Sequence, residues 1–141
     1  MKEHESVLVF SEGNWTYNKQ MQERTGGGLE RSKYLVEHNN QLREGTRQFE
    51  GRKHHEISKL RVPSSWQKFN VEVGLHPTQK PVALFEYLIK TYSNEGDVIL
   101  DNCIGSGTTV VAALNTNRNF IGIDINEEYC EIARSRVDKL S

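Results

Sequence analysis

Apolar residues recur regularly only in the second half of the chain. Pro81 suits the first turn of a helix, and after it apolar side chains repeat at helical spacing. These side chains are Phe85, Leu88, Ile89 and Tyr92. Short β-branched runs follow at 98–101 and 120–123, and each predicts a strand.

Two further helices are predicted around these strands. One runs from Thr108 through Leu114, and the other begins after Asn126, a residue type that caps helices well. The apolar face of the last helix would hold Tyr129, Ile132, Ala133, Val137 and Leu140. The order α-β-α-β-α predicts an α/β fold with a parallel sheet flanked by helices.

The first half of the chain shows little pattern of this kind. Residues 5–10 predict one buried strand, but the periodicity then fades until about residue 61. Three consecutive glycines at 26–28 and many charged and amide side chains are typical of a functional loop or of disorder. His54 and His55 are adjacent and therefore point in different directions, so we expect exposed surface there and no metal site.

Composition favours one reduced, cytoplasmic domain. The chain has 141 residues and two cysteines without metal or redox spacing. No run approaches membrane-spanning length, so we expect no membrane partner. Residues 1–61 carry 11 Lys/Arg against 9 Asp/Glu, and residues 62–141 carry 7 against 10. The resulting +2 of the first part fits contact with a polyanion or a solvated surface equally well.

Residues 98–109 carry the strongest chemical signal. The first strand of the second half ends in Asp101, and a Gly105-x-Gly107 turn then opens onto a helix. The next strand is followed by Asp124, seventeen residues after Gly107. This arrangement predicts a βαβ unit with a nucleotide-like ligand across the carboxyl ends of its strands.

The residues after the turn narrow the choice of ligand. A phosphate-binding P-loop requires a lysine after its last glycine, but Thr108 and Thr109 follow here. A dinucleotide site requires glycine or alanine three residues after Gly107, where Val110 stands, so that fingerprint is incomplete.

The charge of Asp101 favours a cationic ligand. A carboxylate in this position would repel a pyrophosphate strongly in a partly desolvated cleft. S-adenosylmethionine instead offers an ammonium and a sulfonium to Asp101, and a ribose diol to Asp124. A loop-bracing role for Asp101 and a turn or capping role for Asp124 remain the alternatives.

A segment upstream of the turn adds a family resemblance. Residues 76–81 read His-Pro-Thr-Gln-Lys-Pro. With the glycine turn and the Phe-Ile-Gly-Ile-Asp run at 120–124, this segment resembles the circularly permuted beta class of DNA amino-methyltransferases. The resemblance extends from about Leu75 to Leu140, and a looser similarity covers 5–10 and 15–18.

The resemblance implies a partial Rossmann-like, S-adenosylmethionine-dependent methyltransferase fold. Thr78 and Lys80 would help hold the methionine carboxylate of the cofactor. Asn102-Cys103 replaces the more usual Pro-Phe, and we expect Cys103 to pack against the pocket and not to act as a nucleophile. The expected cofactor contacts are Thr78, Lys80, Asp101, Cys103, Gly105, Gly107, Thr108 and Asp124.

The family's catalytic segment has no counterpart in this chain. Family members use an Asp/Asn/Ser-Pro-Pro-Tyr/Trp segment that holds the target amino group of a flipped base. The prolines of this chain are Pro63, Pro77 and Pro81, and no two are adjacent. We therefore expect no catalytic residues here, and a sheet that is incomplete by itself. The partner would be the missing amino-terminal segment, a subunit carrying that segment, or a second copy in a homodimer.

The resemblance implies three parts and DNA as a partner. Residues 1–10 would form an edge strand, residues 11–70 a target-recognition-like or disordered loop region, and residues 71–141 an S-adenosylmethionine-binding half-domain. The expected DNA contacts are Arg24, Arg31, Lys33, Arg47, Arg52 and Lys53. We expect a phage or restriction-modification origin. The competing hypotheses are a non-catalytic S-adenosylmethionine-binding subunit that completes a partner's active site, or a protein that only senses the cofactor, and a dinucleotide-binding Rossmann protein.

Overall fold

The computed structural model describes residues 5–24, 59–72 and 79–140. Contacts divide the chain into two units, one formed by residues 1–18 with 68–141 and the other by residues 19–67. In the part of the chain that the structure describes, every helix is too short or too polar to cross a membrane.

The smaller unit is built on a short antiparallel ribbon. Its strands are β1 (Gln22–Glu23) and β2 (Leu60–Arg61), paired as Gln22 with Arg61 and Glu23 with Leu60. The side-chain amide of Gln22 donates to Oε1 of Gln67 at 2.5 Å. Two-residue strands bury little surface, so side-chain and backbone hydrogen bonds contribute much of the local order.

The larger unit has the α-β-α-β-α order that the periodicity predicts. Its elements are α1 (Val82–Tyr92), β3 (Val98–Asp101), α2 (Thr108–Asn115), β4 (Asn119–Gly122) and α3 (Glu127–Asp138). The predicted ends are correct to within one residue for both strands and for α2. The prediction of an α/β fold with a small parallel sheet flanked by helices is confirmed.

All three helices of the larger unit pack on one face of the sheet. Strand β3 runs parallel to β4, with Ile99 opposite Phe120 on the helix-facing side. One core cluster joins α1 and α2 to both of these side chains, and a second joins α2 and α3 to Phe120. The buried residues of the two clusters are Ile89, Ala112 and Ala113, and Ile104, Val110 and Ala133.

A buried arginine fixes the ends of two helices. Nη2 of Arg118 donates to the carbonyl oxygen of Ser93 at 2.8 Å, and Nη1 donates to that of Thr116. Ser93 and Thr116 are the C-cap residues of α1 and α2. Because a guanidinium offers donors in a fixed planar fork, this one side chain holds both helix ends beside the start of β4.

The predicted strand at 5–10 is not formed, and this prediction is wrong. None of these residues has strand structure, and all of them are exposed. Val7 and Val9 instead line an apolar groove with Leu88 and Ile99. A strand requires a hydrogen-bonded neighbour, and in the described residues β3 pairs only with β4.

Candidate cofactor site at the carboxyl edge of the sheet

Asp101 ends β3 and braces the loop that follows. Its Oδ1 accepts a hydrogen bond from the backbone N–H of Cys103 at 2.9 Å. Its Oδ2 accepts one from the hydroxyl of Thr109 at 2.5 Å. The carboxylate therefore ties the end of β3 to the first turn of α2, as the loop-bracing interpretation requires.

Asp124 fixes the same loop from the next strand. Its Oδ2 accepts from the backbone N–H of Gly105 at 2.8 Å, and its Oδ1 accepts from that of Asn126 at 2.9 Å. Asn126 in turn caps α3 by accepting from the N–H of Glu128 at 2.9 Å. Asp101 and Asp124 thus both accept hydrogen bonds from the loop between β3 and α2, and Asp124 also connects this loop to the start of α3.

The two glycines of the turn have different roles. Gly105 has φ +51°, and a Cβ there would have no protein atom within 4 Å, so this part of the loop is open to a ligand. Gly107 has φ +81°, and a Cβ there would lie 2.8 Å from Cβ of Ala133. Gly107, one of the expected cofactor contacts, is therefore also required by close packing of α2 on α3.

A third glycine, Gly122, lets the loop residue Ile104 pack closely on β4. Gly122 ends β4, and a Cβ there would lie 2.0 Å from Cδ1 of Ile104. Ile104 is buried, and its N–H donates to the carbonyl oxygen of Ile123 at 3.0 Å. A glycine inside a predicted strand indicates close approach by another group, and that signal was available at 122.

The remaining predicted cofactor contacts lie in different surroundings. Nζ of Lys80 forms an ion pair with Oε1 of Glu5 at 2.7 Å, and both side chains are substantially exposed. Cys103 is exposed on the loop, whereas Thr108 is buried in the first turn of α2. Thr78 lies outside the described residues.

Only one of the predicted DNA contacts falls in the described part of the chain. Arg24 is half-buried, and its Nε donates to the carbonyl oxygen of Leu60 at 3.3 Å. The other five, Arg31, Lys33, Arg47, Arg52 and Lys53, lie outside the described residues, as do His54 and His55. DNA contact by this region stays a prediction.

The site offers carboxylates and backbone groups and lacks a metal-binding arrangement. Among residues 5–24, 59–72 and 79–140, no three His, Cys, Asp or Glu side chains are grouped to hold a metal ion. The loop is suited to bind a ligand with a positive group and hydroxyls, because carboxylates accept hydrogen bonds from both.

The comparisons with known proteins agree with this chemistry. The model of the DNA methylase family matches residues 1–135. The type II methyltransferase M.HpaI of Haemophilus parainfluenzae is 56% identical over 63 residues, which are 45% of this chain and 20% of that protein. M2.DpnII of Streptococcus pneumoniae is 54% identical over 65 residues, 46% of this chain and 24% of that one.

The chain is also similar to one further curated relative and to one solved structure. The DNA adenine methyltransferase YhdJ of Escherichia coli K12 is 48% identical over 66 residues, 47% of this chain and 22% of that protein. The crystal structure of M1.HpyAVI with S-adenosylmethionine is 38% identical with a TM-score of 0.46, covering 54% of this chain and 42% of that chain. The matched segments span less than a quarter of each of the three curated relatives.

Proposed function

This chain belongs to the DNA methylase family, whose members use S-adenosylmethionine, and we propose that it supplies the cofactor-binding half of a DNA amino-methyltransferase. The observation that carries the proposal is the loop held between Asp101 and Asp124 at the carboxyl edge of β3 and β4. Ligands of open α/β sheets bind at this edge.

The charges of the loop support S-adenosylmethionine over a dinucleotide. Both strand-end side chains are carboxylates, and a pyrophosphate beside them would be repelled. S-adenosylmethionine brings an ammonium, a ribose diol and a methyl group on a sulfonium, which makes the methyl group electrophilic. In this proposal Asp124 accepts from the ribose hydroxyls, and Asp101 faces the ammonium.

Rigid placement of both carboxylates supports the same proposal. Each carboxylate is held by the chain on both of its oxygens, so it needs little reorganisation when a ligand approaches. A carboxylate can accept about four hydrogen bonds in total, so bonds to the chain and a bond to a ligand are compatible. Gly105 leaves the adjoining backbone open to the ligand.

We also propose that methyl transfer requires residues beyond those of this chain. The 141 residues include no adjacent prolines, so the segment that holds a target amino group in the resembled family has no match here. The acceptor would be the amino group of adenine or cytosine in DNA. The adenine methyltransferase YhdJ among the relatives makes adenine the first acceptor to test.

Cofactor titration of matched variants tests the binding role. Asp124→Asn should raise the Kd for S-adenosylmethionine about tenfold or more, because a charge-assisted hydrogen bond to the ribose is lost. Asp138→Asn, on the exposed end of α3, is the matched control and should change the Kd less than about twofold. Equal affinity of Asp124→Asn and the wild type would contradict the ribose role.

A methyl-transfer assay tests whether catalysis requires a second polypeptide. The chain alone should leave DNA unmethylated with labelled S-adenosylmethionine, and activity should appear when a polypeptide with the Pro-Pro segment is added. The same assay separates a half-enzyme from a protein that only senses the cofactor, which would stay inactive in both mixtures. Methylation of DNA by the chain alone would overturn the need for a partner.

A further inference from the structure

An arginine of α3 contacts the loop at 102–107 between β3 and α2 (the cofactor loop). Nη1 of Arg136 donates to the carbonyl oxygen of Ser106 at 2.8 Å. Arg136 is half-buried in the last turn of α3, and Ser106 is only 3% exposed. A hydrogen bond from a guanidinium is charge-assisted and therefore stronger than one between neutral groups. The last turn of α3 is thus tied to the loop that the proposed function assigns to the cofactor.

A neighbouring arginine on the same helix shows how a purely surface role would look. The side chain of Arg134 is 66% exposed, and it pairs with Glu127 of its own helix at 2.8 Å. Both arginines lie toward the end of α3, where a cation suits the helix dipole. Arg136 differs because its donor leaves the helix and meets a buried backbone carbonyl of the cofactor loop.

The hydrogen bond from Arg136 fixes one peptide group from both sides. The carbonyl of Ser106 and the N–H of Gly107 belong to the same planar trans peptide, so they point in opposite directions. The carbonyl oxygen accepts from Arg136, and the N–H donates to the carbonyl oxygen of Ile104 at 3.0 Å. The orientation of this peptide is therefore set by α3 on one side and by a turn of the loop on the other.

This peptide is one that needs such a restraint. A flip of the peptide changes ψ of Ser106 and φ of Gly107, and glycine accepts φ of either sign at little cost. Gly107 stands at φ +81°, where it is the N-cap residue of α2. A flipped peptide would turn the carbonyl oxygen away from α3 and break the turn to Ile104. Arg136 favours the observed orientation because its donor meets the carbonyl oxygen only there.

The two strand-end carboxylates restrain a different part of the cofactor loop. They accept from the N–H groups of Cys103 and Gly105, at 2.9 and 2.8 Å. Ser106 and Gly107 follow these residues and lead into α2, and the carbonyl between them is held by Arg136. The second half of the loop therefore depends on α3 for an orientation that the carboxylates do not fix.

We propose that Arg136 is a positioning residue for S-adenosylmethionine, whose guanidinium holds the Ser106–Gly107 peptide in the orientation that binds the cofactor. This inference rests on the proposed function, because the loop is the cofactor site only if that function is correct. Apparent affinity falls in proportion to the fraction of the protein that has the competent conformation. Loss of Arg136 should therefore weaken binding through the loop.

Calorimetric titration of the full chain with S-adenosylmethionine tests this proposal. Arg136→Met removes the guanidinium and keeps an unbranched side chain, whereas Arg136→Lys keeps one cationic donor group. Arg134→Met is the matched control on the same helix. The Kd should rise about fivefold or more for Arg136→Met and by a smaller factor for Arg136→Lys. It should change less than about twofold for Arg134→Met, which breaks only an exposed ion pair.

A spectroscopic measurement separates positioning from a general loss of stability. The three-bond couplings between the amide proton and the Hα protons of Gly107 depend on φ, so they report a flip of the peptide at its amino side. They should change in Arg136→Met and return toward the wild-type values when S-adenosylmethionine saturates the protein, because the ligand selects the competent orientation. The couplings of Ala112 and Ala113, buried in α2, should stay the same in all variants.

The outcomes distinguish this proposal from the one on which it rests. A wild-type chain that does not bind S-adenosylmethionine would refute the proposed function, and the role of Arg136 with it. Wild-type binding with an equal Kd for Arg136→Met would refute the role of Arg136 alone. So would a raised Kd with unchanged couplings of Gly107. If Arg136→Met does not fold, Arg136→Lys decides by the same two measurements.

Discussion

The packed region 98–138 and the segments 5–24 and 59–72 differ in how their structure is determined. In the packed region, strand, loop and helix follow one another closely, and each carboxylate bonds to a residue within nineteen positions. In the other segments the strands have two residues each, and their hydrogen bonds join positions about forty apart. Local structure that depends on residues nearby in the chain can be predicted from a sequence, whereas structure that depends on distant partners cannot.

The largest effect should come from the glycine between α2 and α3. Gly107→Ala combines a left-handed φ of +81° with a Cβ 2.8 Å from that of Ala133. It should lower the free energy of unfolding by about 2–4 kcal/mol, measured by urea denaturation. Gly96→Ala is the control for backbone strain alone, since Gly96 has φ +83° but a Cβ there would meet no atom within 4 Å. It should lower the free energy of unfolding by about 1 kcal/mol. Equal costs would mean that helix packing does not require Gly107.

The contact between Gly122 and Ile104 should give the next largest effect. Gly122→Ala places a Cβ 2.0 Å from Cδ1 of Ile104, so the isoleucine must move, at about 1–3 kcal/mol of unfolding free energy. Adding Ile104→Val removes that Cδ1 and should recover part of the loss in a double-mutant cycle. Additive losses in the cycle would show that the two positions do not interact.

The hydrogen bond from Thr109 to Asp101 should contribute less to stability than the two glycine contacts. Thr109→Val keeps the side-chain shape but removes the hydroxyl that donates to Oδ2 of Asp101. The cost should be about 1–2 kcal/mol by thermal or urea denaturation, since a partly buried carboxylate oxygen loses a donor. Thr109→Ser retains the hydroxyl and should keep more of the stability. An unchanged free energy of unfolding for Thr109→Val would contradict the bracing role of Asp101.

The smallest effect should come from the exposed front segment. Glu5→Gln breaks the ion pair with Lys80, whose partners are 72% and 43% exposed. Surface pairs contribute little, so the unfolding free energy should change by less than about 0.5 kcal/mol. Glu5→Gln also releases Lys80 from this carboxylate. The affinity of the Glu5→Gln variant for S-adenosylmethionine should therefore not fall. A large loss of stability would show that the front segment is held as firmly as the packed region.

The sequence predicted the α-β-α-β-α order because each element there carries its own signals. Pro81 precedes α1, Asn126 caps α3, and Asp101 ends β3, as expected. The prediction at 5–10 failed because an apolar run becomes a strand only when a neighbour pairs with it, and nothing local reveals the neighbour. The roles of Gly107 and Gly122 were missed for a related reason: Ala133 and Ile104 are distant in sequence and meet them only in the fold.

The most direct test of the account is a pair of calorimetric titrations of the full chain, one with S-adenosylmethionine and one with NAD. The two ligands share an adenosine and differ in what they bring to Asp101, a cationic amino-acid group or a pyrophosphate. We expect measurable binding of S-adenosylmethionine and none of NAD. Binding of NAD without binding of S-adenosylmethionine would contradict this expectation.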